Sequence, residues 1–203
     1  MESDSRKLGR PRSFDRDEAL KQAMLAFWRH GYETTSISHL TKVMDVTAPS
    51  LYAAFGDKKR LFLEAMHRYA GTPDDFAVTL QESSTAYQAV HQMLASAADL
   101  FTNGSTPRGC LLASAAASGS VESTDVQKAV AQVRRQMMRR VRLRIEQDIA
   151  AGLLPADTNA KSLASLTIAL VQGMSVLARD GGRREDLRAI VTVAMNAWPR
   201  RPD

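Results

Sequence analysis

The sequence predicts an all-α protein, with a helix-turn-helix near its N-terminus and a larger helical domain behind it. Three observations predict this. Apolar residues recur at a three-to-four step along nearly the whole chain. No alternating apolar–polar run bounded by turns marks a strand. Two short helical segments joined by a three-residue turn sit between longer amphipathic ones.

The first helix starts at Asp15, with Glu18 three residues on in a capping-box-like pattern, and stops at Gly31. Between them Leu20, Ala23, Met24, Phe27 and Trp28 share one face. Thr34-Thr35-Ser36 opens a short second helix that turns Ile37, Leu40 and Met44 inward. After the turn Asp45-Val46-Thr47, a third helix begins at Ala48-Pro49 and ends at Phe55-Gly56. Proline is tolerated there because first-turn amides have no intrahelical partner. Asp57 caps a fourth helix, striped by Leu61, Phe62, Ala65, Met66 and Tyr69.

Gly71-Thr72-Pro73 breaks the periodicity and sets a domain boundary, with residues 1–70 before it and 71–203 after. Residues 85–102 read as a helix with Val90, Met93, Leu94, Ala97 and Phe101 on one side. Asn103-Gly104-Ser105-Thr106-Pro107 is a loop, and a small-residue segment runs from Cys110 to Ser118. A long helix follows from about 123 to 151, carrying Val126, Val130, Val133, Met137, Val141, Ile145 and Ile149 inward, and Gly152 and Pro155 end it. Two more helices, about 158–179 and 184–198, flank Gly181-Gly182.

Composition narrows the function classes. The 203 residues are 44% hydrophobic and 24% charged, which is ordinary for a globular chain. A single cysteine excludes an intramolecular disulfide framework and points to a reducing cytoplasm. No run approaches the roughly 18 consecutive apolar residues of a membrane span, and Met1 to Lys7 lack an apolar signal core, so neither membrane insertion nor export is expected. The net charge of +5 hints at a polyanionic partner, but the basic excess is shared by both halves and locates no surface. His30, His39, His67 and His91 are scattered without metal-ligand spacing, so no metal and no cofactor is expected.

The helix-turn-helix locates the surface instead. Its second helix would enter a DNA major groove with its N-terminal residues nearest the base edges. Thr47, Ser50 and Tyr52 lie on the outward face, and Leu51 and Phe55 point in. The second helix's N-terminus would hold a phosphate through Thr35 and Ser36, and Lys58 and Lys59 would neutralise another. Arg6, Lys7, Arg10 and Arg12 form an arm able to reach an adjacent minor groove. Each residue has a plainer role to weigh: Thr47 as a helix cap, Tyr52 as a core cover, the lysines as a solvated helix start, and the arm as a solubilising tail.

The run Gly9-Arg10-Pro11-Arg12, Phe14-Asp15, Ala26-Phe27-Trp28, Gly31-Tyr32, Thr34-Thr35-Ser36, Leu40, Ser50-Leu51-Tyr52, Phe55-Gly56-Asp57-Lys58 and Leu61-Phe62 resembles the tetracycline-repressor (TetR) family of bacterial regulators. Pro107 to Leu112 and Gly152 to Pro155 resemble the effector domain of one of its subgroups. The resemblance implies an all-helical homodimer, with three N-terminal helices making the DNA-binding head and a fourth linking it to a C-terminal effector and dimerisation domain. It also implies repression from a palindromic double-stranded DNA operator, relieved when a small molecule changes the spacing of the two heads. By position it brings Thr35, Thr47, Pro49, Ser50, Tyr52 and Lys58 to DNA and Leu51 to the core. Ala53 and Ala54 depart from the pattern, since some members place larger side chains there. Base readout would then lean on Thr47, Ala48, Pro49 and Ser50, with methyl contacts to thymine.

The family fold implies a ligand pocket, for which Met93, Phe101, Cys110, Leu111, Met137, Val141, Met174 and Leu177 are candidates, ordinary core packing being the alternative for each. Their character fits an apolar or aromatic effector. Cys110, after Gly109 and beside Arg108 at a helix start, is also a candidate sensor thiol, with a small buried hydrophobe as the alternative. The long helix carries Lys128, Arg134, Arg135, Arg139, Arg140, Arg142 and Arg144, expected to form a solvated face with at most one turned to an anionic ligand. Leu163, Leu166, Leu170, Met174 and Leu177, with Leu187, Ile190, Val191, Ala194 and Trp198, are expected to build a four-helix dimer interface, or else to complete a monomer core. Small residues Ala164, Ala169 and Gly173 would allow close approach there. No nucleotide-binding glycine loop, paired metal ligands or nucleophile elbow supports an enzyme. A helical interaction protein that never binds DNA is the remaining alternative.

Overall fold

The computed structural model describes residues 14–71, 78, 80–116 and 123–199. Among these the chain forms helices and no strands: α1 (Arg16–His30), α2 (Ile37–Met44), α3 (Ala48–Phe55), α4 (Lys58–Ala70), α5 (Ala86–Phe101), α6 (Leu111–Ala116), α7 (Thr124–Ala150), α8 (Ala160–Arg179) and α9 (Arg184–Asn196). The arm arginines Arg10 and Arg12, with Arg6 and Lys7, lie outside the described residues, as do Thr72 and Pro73.

The caps explain where these helices begin. Asp15 accepts from the amides of Asp17 and Glu18 at 2.9 and 3.2 Å. Glu18 does not return the bond as a full capping box would; its carboxylate turns along the helix to Gln22 and Lys21. Ser36, Thr47, Asp57, Thr85 and Asn159 cap α2, α3, α4, α5 and α8 through side-chain oxygens. Arg183 caps α9 differently: its own amide donates to Asp186 at 3.0 Å.

The head packs α1 against α2 and α4, with α3 held between α2 and α4. Phe27 meets Phe62 edge-on at 5.2 Å, and Leu40, Leu51 and Leu61 close the same core. Arg16 reaches from α1 to Glu64 on α4 at 2.5 Å, and Arg68 pairs with Asp17 across the same two helices. Behind the head, α5, α7 and α8 pack together and α9 covers α5. The inward stripe of α7 is Val126, Val130, Val141, Ile145 and, unexpectedly, Asp148. Asp148 is only 3% exposed, pairs with Arg144 one turn back, and accepts the Ala86 amide at 2.6 Å. A buried carboxylate is tolerable here because it is charge-paired and caps α5.

One loop joins the two halves. The Trp28 indole of α1 donates to the Gly109 carbonyl at 2.9 Å, while the Cys110 amide donates to Ser175 of α8 at 2.8 Å. Gly109 has φ of +79°, and a Cβ there would stand 2.9 Å from the Ser175 carbonyl, so only glycine fits this approach. Lys59 of α4 adds a 2.7 Å bridge to Asp125 at the start of α7.

Candidate DNA interface and cavity

The helix-turn-helix is α2, the turn at Asp45–Val46–Thr47, and α3. Asp45 takes a left-handed backbone (φ 51°, ψ 47°), which reverses the chain so that α3 crosses α2. Leu51 and Phe55 anchor α3 in the core, which turns the opposite face outward. On that face Thr47, Pro49, Tyr52 and Ala53 are exposed, and Ala48 and Ser50 are half-buried. Tyr52 is 49% exposed, so it does not serve as a core cover. Thr47 caps α3 and its hydroxyl lies 2.9 Å from that of Ser50, so the two hydroxyls sit together at the helix's leading end. This gives a small, neutral, hydrogen-bonding surface backed by the positive end of a helix dipole.

Three positions differ from expectation. Thr35 is 1% exposed, and its hydroxyl donates to the Gly31 carbonyl at 2.6 Å, so its side chain closes the head instead of facing a phosphate. Ser36, one residue on, is exposed and caps α2. Lys59 is turned to Asp125. Lys58 is half-buried, with its ammonium 4.5 Å from the centre of the Tyr32 ring and donating to the Glu33 carbonyl at 3.2 Å. Burial draws its pKa below the usual lysine value, against the pull of Glu33.

A cavity of about 290 Å³ lies where the C-terminal end of α4 meets α5, α7 and α8. Four of the eight candidate pocket residues line it: Met93, Phe101, Cys110 and Met137. The others point elsewhere. Leu111, Val141 and Met174 are fully enclosed in the helical core, and Leu177 is 46% exposed on the outer face of α8. Helical periodicity puts a residue on an apolar stripe but does not say which part of the stripe meets a void, and this accounts for the split.

Sequence reasoning missed Tyr69, Gln92, Leu100 and Gln172, all of which border the cavity. Leu100, Ser96 and Gln92 follow a four-residue step on α5, a signal whose meaning depends on what stands opposite. Tyr69 is the wall shared with the head: its ring meets Trp28 edge-on at 4.8 Å. Burial, together with the neighbouring Cys110, pushes its hydroxyl's pKa well above the usual tyrosine range. Arg134 also borders the cavity, while Arg144 is buried against Asp148 and Arg142 pairs with Glu146, so the basic residues of α7 divide among three environments.

The expected dimer stripes are divided too. Met174, Leu187, Val191 and Trp198 are buried within the chain. Leu166 and Leu177 remain exposed, joined by Val176 and by Val193 of α9, which is 70% exposed. The helix Ala160–Arg179 is long and apolar enough by composition to cross a membrane, yet it packs one face against α5 and α7. Among the described residues no group of three His, Cys, Asp or Glu side chains clusters as metal ligands would.

An outward-facing second helix in a helix-turn-helix, mounted on a separate helical body, defines a DNA-binding transcriptional regulator. Residues 19–65 match the family described as "Bacterial regulatory proteins, tetR family", and residues 86–194 match "Tetracyclin repressor-like, C-terminal domain". The chain belongs to the TetR family, whose members are regulators and not enzymes. It is 34% identical over 196 residues to the HTH-type transcriptional repressor ComR of Escherichia coli (strain K12), covering 94% of this chain and 92% of that one. A cysteine mutant of the TetR family regulator CifR, solved with 26-base-pair double-stranded operator DNA, superposes with a TM-score of 0.88 at 42% identity, covering 94% of this chain and 100% of that one. A TetR regulator from Rhodococcus sp. RHA1 is 38% identical with a TM-score of 0.62, covering 91% and 99% of the two chains.

Proposed function

We propose that this protein is a cytoplasmic homodimeric repressor that occupies a palindromic operator and leaves it when a small apolar or aromatic molecule fills the cavity. The observation that carries the reading is Tyr69, whose ring belongs at once to the cavity wall and to the packing of Trp28 in α1. A ligand that displaces this ring pushes on the helix that supports the DNA-reading head. Trp28 holds Gly109 and Lys59 holds Asp125, so head and body are already tied at two further points and a shift at either end is transmitted.

In this reading residues 1–70 form the DNA-binding unit and 71–203 the ligand and dimer unit. Thr47, Ala48, Pro49, Ser50 and Tyr52 contact bases or backbone; Ser36 and Lys58 contact phosphates, with Arg10 and Arg12 of the arm following the minor groove. Lys58 must leave its seat over Tyr32 or reach from it, so its contribution should be smaller than that of a free lysine. The dimer forms through the exposed apolar faces of α8 and α9, Leu166, Val176 and Leu177 with Val193, because such a patch is stabilised by its own symmetry mate.

The test is a footprint of the full-length protein on the DNA upstream of its own gene. A protected palindrome that Tyr52→Ala abolishes supports the reading, and its loss with rising salt should follow phosphate neutralisation. No protection by a folded dimer, with and without cell extract, refutes it. Because Cys110 borders the cavity, a second reading makes its thiol the sensor. Operator release by peroxide or a quinone that survives in Cys110→Ser removes that second reading.

A further inference from the structure

The geometry points to an organic anion as the effector: a molecule with an apolar body and one carboxylate or similar group, received by Arg134. The inference rests on the proposed effector role of the cavity and names the chemistry that the cavity selects.

The starting point is the inward face of α7. Along its apolar stripe two arginines, Arg134 and Arg144, turn toward the body of the protein. Arg144 is fully compensated. It pairs with buried Asp148 and donates to the carbonyls of Leu80 and Ser83 at 3.2 Å each. Arg134 has no such compensation. Among the described residues its one hydrogen bond is to the Leu112 carbonyl, at a long 3.4 Å, and no described carboxylate pairs with it. Arg134 borders a cavity whose other lining residues, among those described, include no acid. They are chiefly apolar, among them Met93, Phe101, Met137 and Val171, with the neutral amides of Gln92 and Gln172.

A half-buried cation beside a largely apolar void loses hydration without gaining a counter-charge, and an entering anion supplies that charge. Guanidinium is suited to this because its planar fork meets both oxygens of a carboxylate. The two amides can complete the ring of donors around the same group. At about 290 Å³ the cavity has room for about ten water molecules, hence for a ligand of about ten non-hydrogen atoms. An aryl-alkyl carboxylate is of that size.

The experiment compares 3-phenylpropanoate with 3-phenylpropanamide, which match in shape and differ in charge. Calorimetric titration into the full-length dimer should give a carboxylate affinity tenfold or more above that of the amide, about the gain expected of a charge-assisted pair. In Arg134→Gln the two affinities should converge to within about threefold, with the amide's unchanged, and Arg134→Lys should keep part of the preference. Thermal melting checks that the variants fold. Equal binding of both probes to the wild type refutes the anion and leaves the cavity standing as an effector site. A preference that persists in Arg134→Gln refutes Arg134 as the receptor. Binding of neither probe counts against both the anion and the cavity.

Discussion

The two tryptophans offer a controlled test of how the halves are joined. Both are nearly fully buried, but the Trp28 indole N–H donates to the Gly109 carbonyl at 2.9 Å, whereas the Trp198 indole nitrogen meets no acceptor among the described residues. Replacing each by phenylalanine removes a similar volume and changes the hydrogen bonding of only one. Trp28→Phe orphans a buried carbonyl, at about 1–3 kcal/mol. The lost indole volume adds about 1 kcal/mol, well below the cost of truncation to alanine. The sum is about 2–4 kcal/mol. Trp198→Phe loses a comparable volume but removes a donor that had no partner, so its cost should be about 0–1 kcal/mol. The assay is urea unfolding at one fixed protein concentration, so that self-association, which makes stability concentration-dependent, weighs equally on both variants. A gap of about 2 kcal/mol corresponds to about 4–8 °C in Tm for a chain of this size. Equal losses, or a larger loss for Trp198→Phe, would refute the view that the Trp28–Gly109 bond ties head to body.

Other substitutions separate seating from reading. Leu51→Ala should cost about 3–5 kcal/mol and abolish operator binding, because Leu51 and Phe55 are the buried side chains that seat α3; Tyr52→Ala should abolish binding with stability within about 0.5 kcal/mol of wild type, as parallel melting and gel-shift measurements would show. Asp148→Asn leaves Arg144 buried without its counter-charge and weakens the cap of α5, so melting should report a loss of about 3–5 kcal/mol; a neutral result would mean that water compensates Arg144. Asp99 is held below the usual aspartate range first by its hydrogen bond from Arg188, then by the charges of Arg188 and Arg184. A depressed carboxylate pKa stabilises the fold above the unfolded value of about 3.9, and that contribution is lost as pH falls through the lower folded value. Acid unfolding of Asp99→Asn should therefore be less steep below about pH 4, and the difference should shrink in high salt because the pair is exposed.

Helix starts were readable because capping is local. Asp15, Ser36, Thr47 and Asp57 bond to amides two or three residues away, and that chemistry is written within one turn of sequence. The outward face of α3 was readable for the same reason, since an eight-residue helix anchored by Leu51 and Phe55 has only one side left to expose. The inward turn of the Thr35 side chain, whose hydroxyl donates to the Gly31 carbonyl, was not legible, since a threonine before a helix can face either way.

The cavity and the division of the apolar stripes of α8 and α9 belong to the other category. Met93 and Met137 border the void while Val141 and Met174 are packed solid, though all four satisfy the same periodicity. Periodicity reports which face of a helix turns inward, and only the distance to the facing helix decides whether that face meets atoms or space. Asp148 makes the same point for charge. Nothing in its own neighbourhood of sequence marks it as buried, and the Ala86 amide that makes burial possible lies 62 residues away. Sequence by itself determined the helices, their caps and the outward face of α3, because those depend on contacts within a turn or two. Tertiary structure decided the cavity, the pairing of Arg144 against the exposure of Arg134 to that cavity, and the seat of Trp28 on Gly109, because each depends on groups brought together from distant parts of the chain, where packing and charge compensation are settled only on folding.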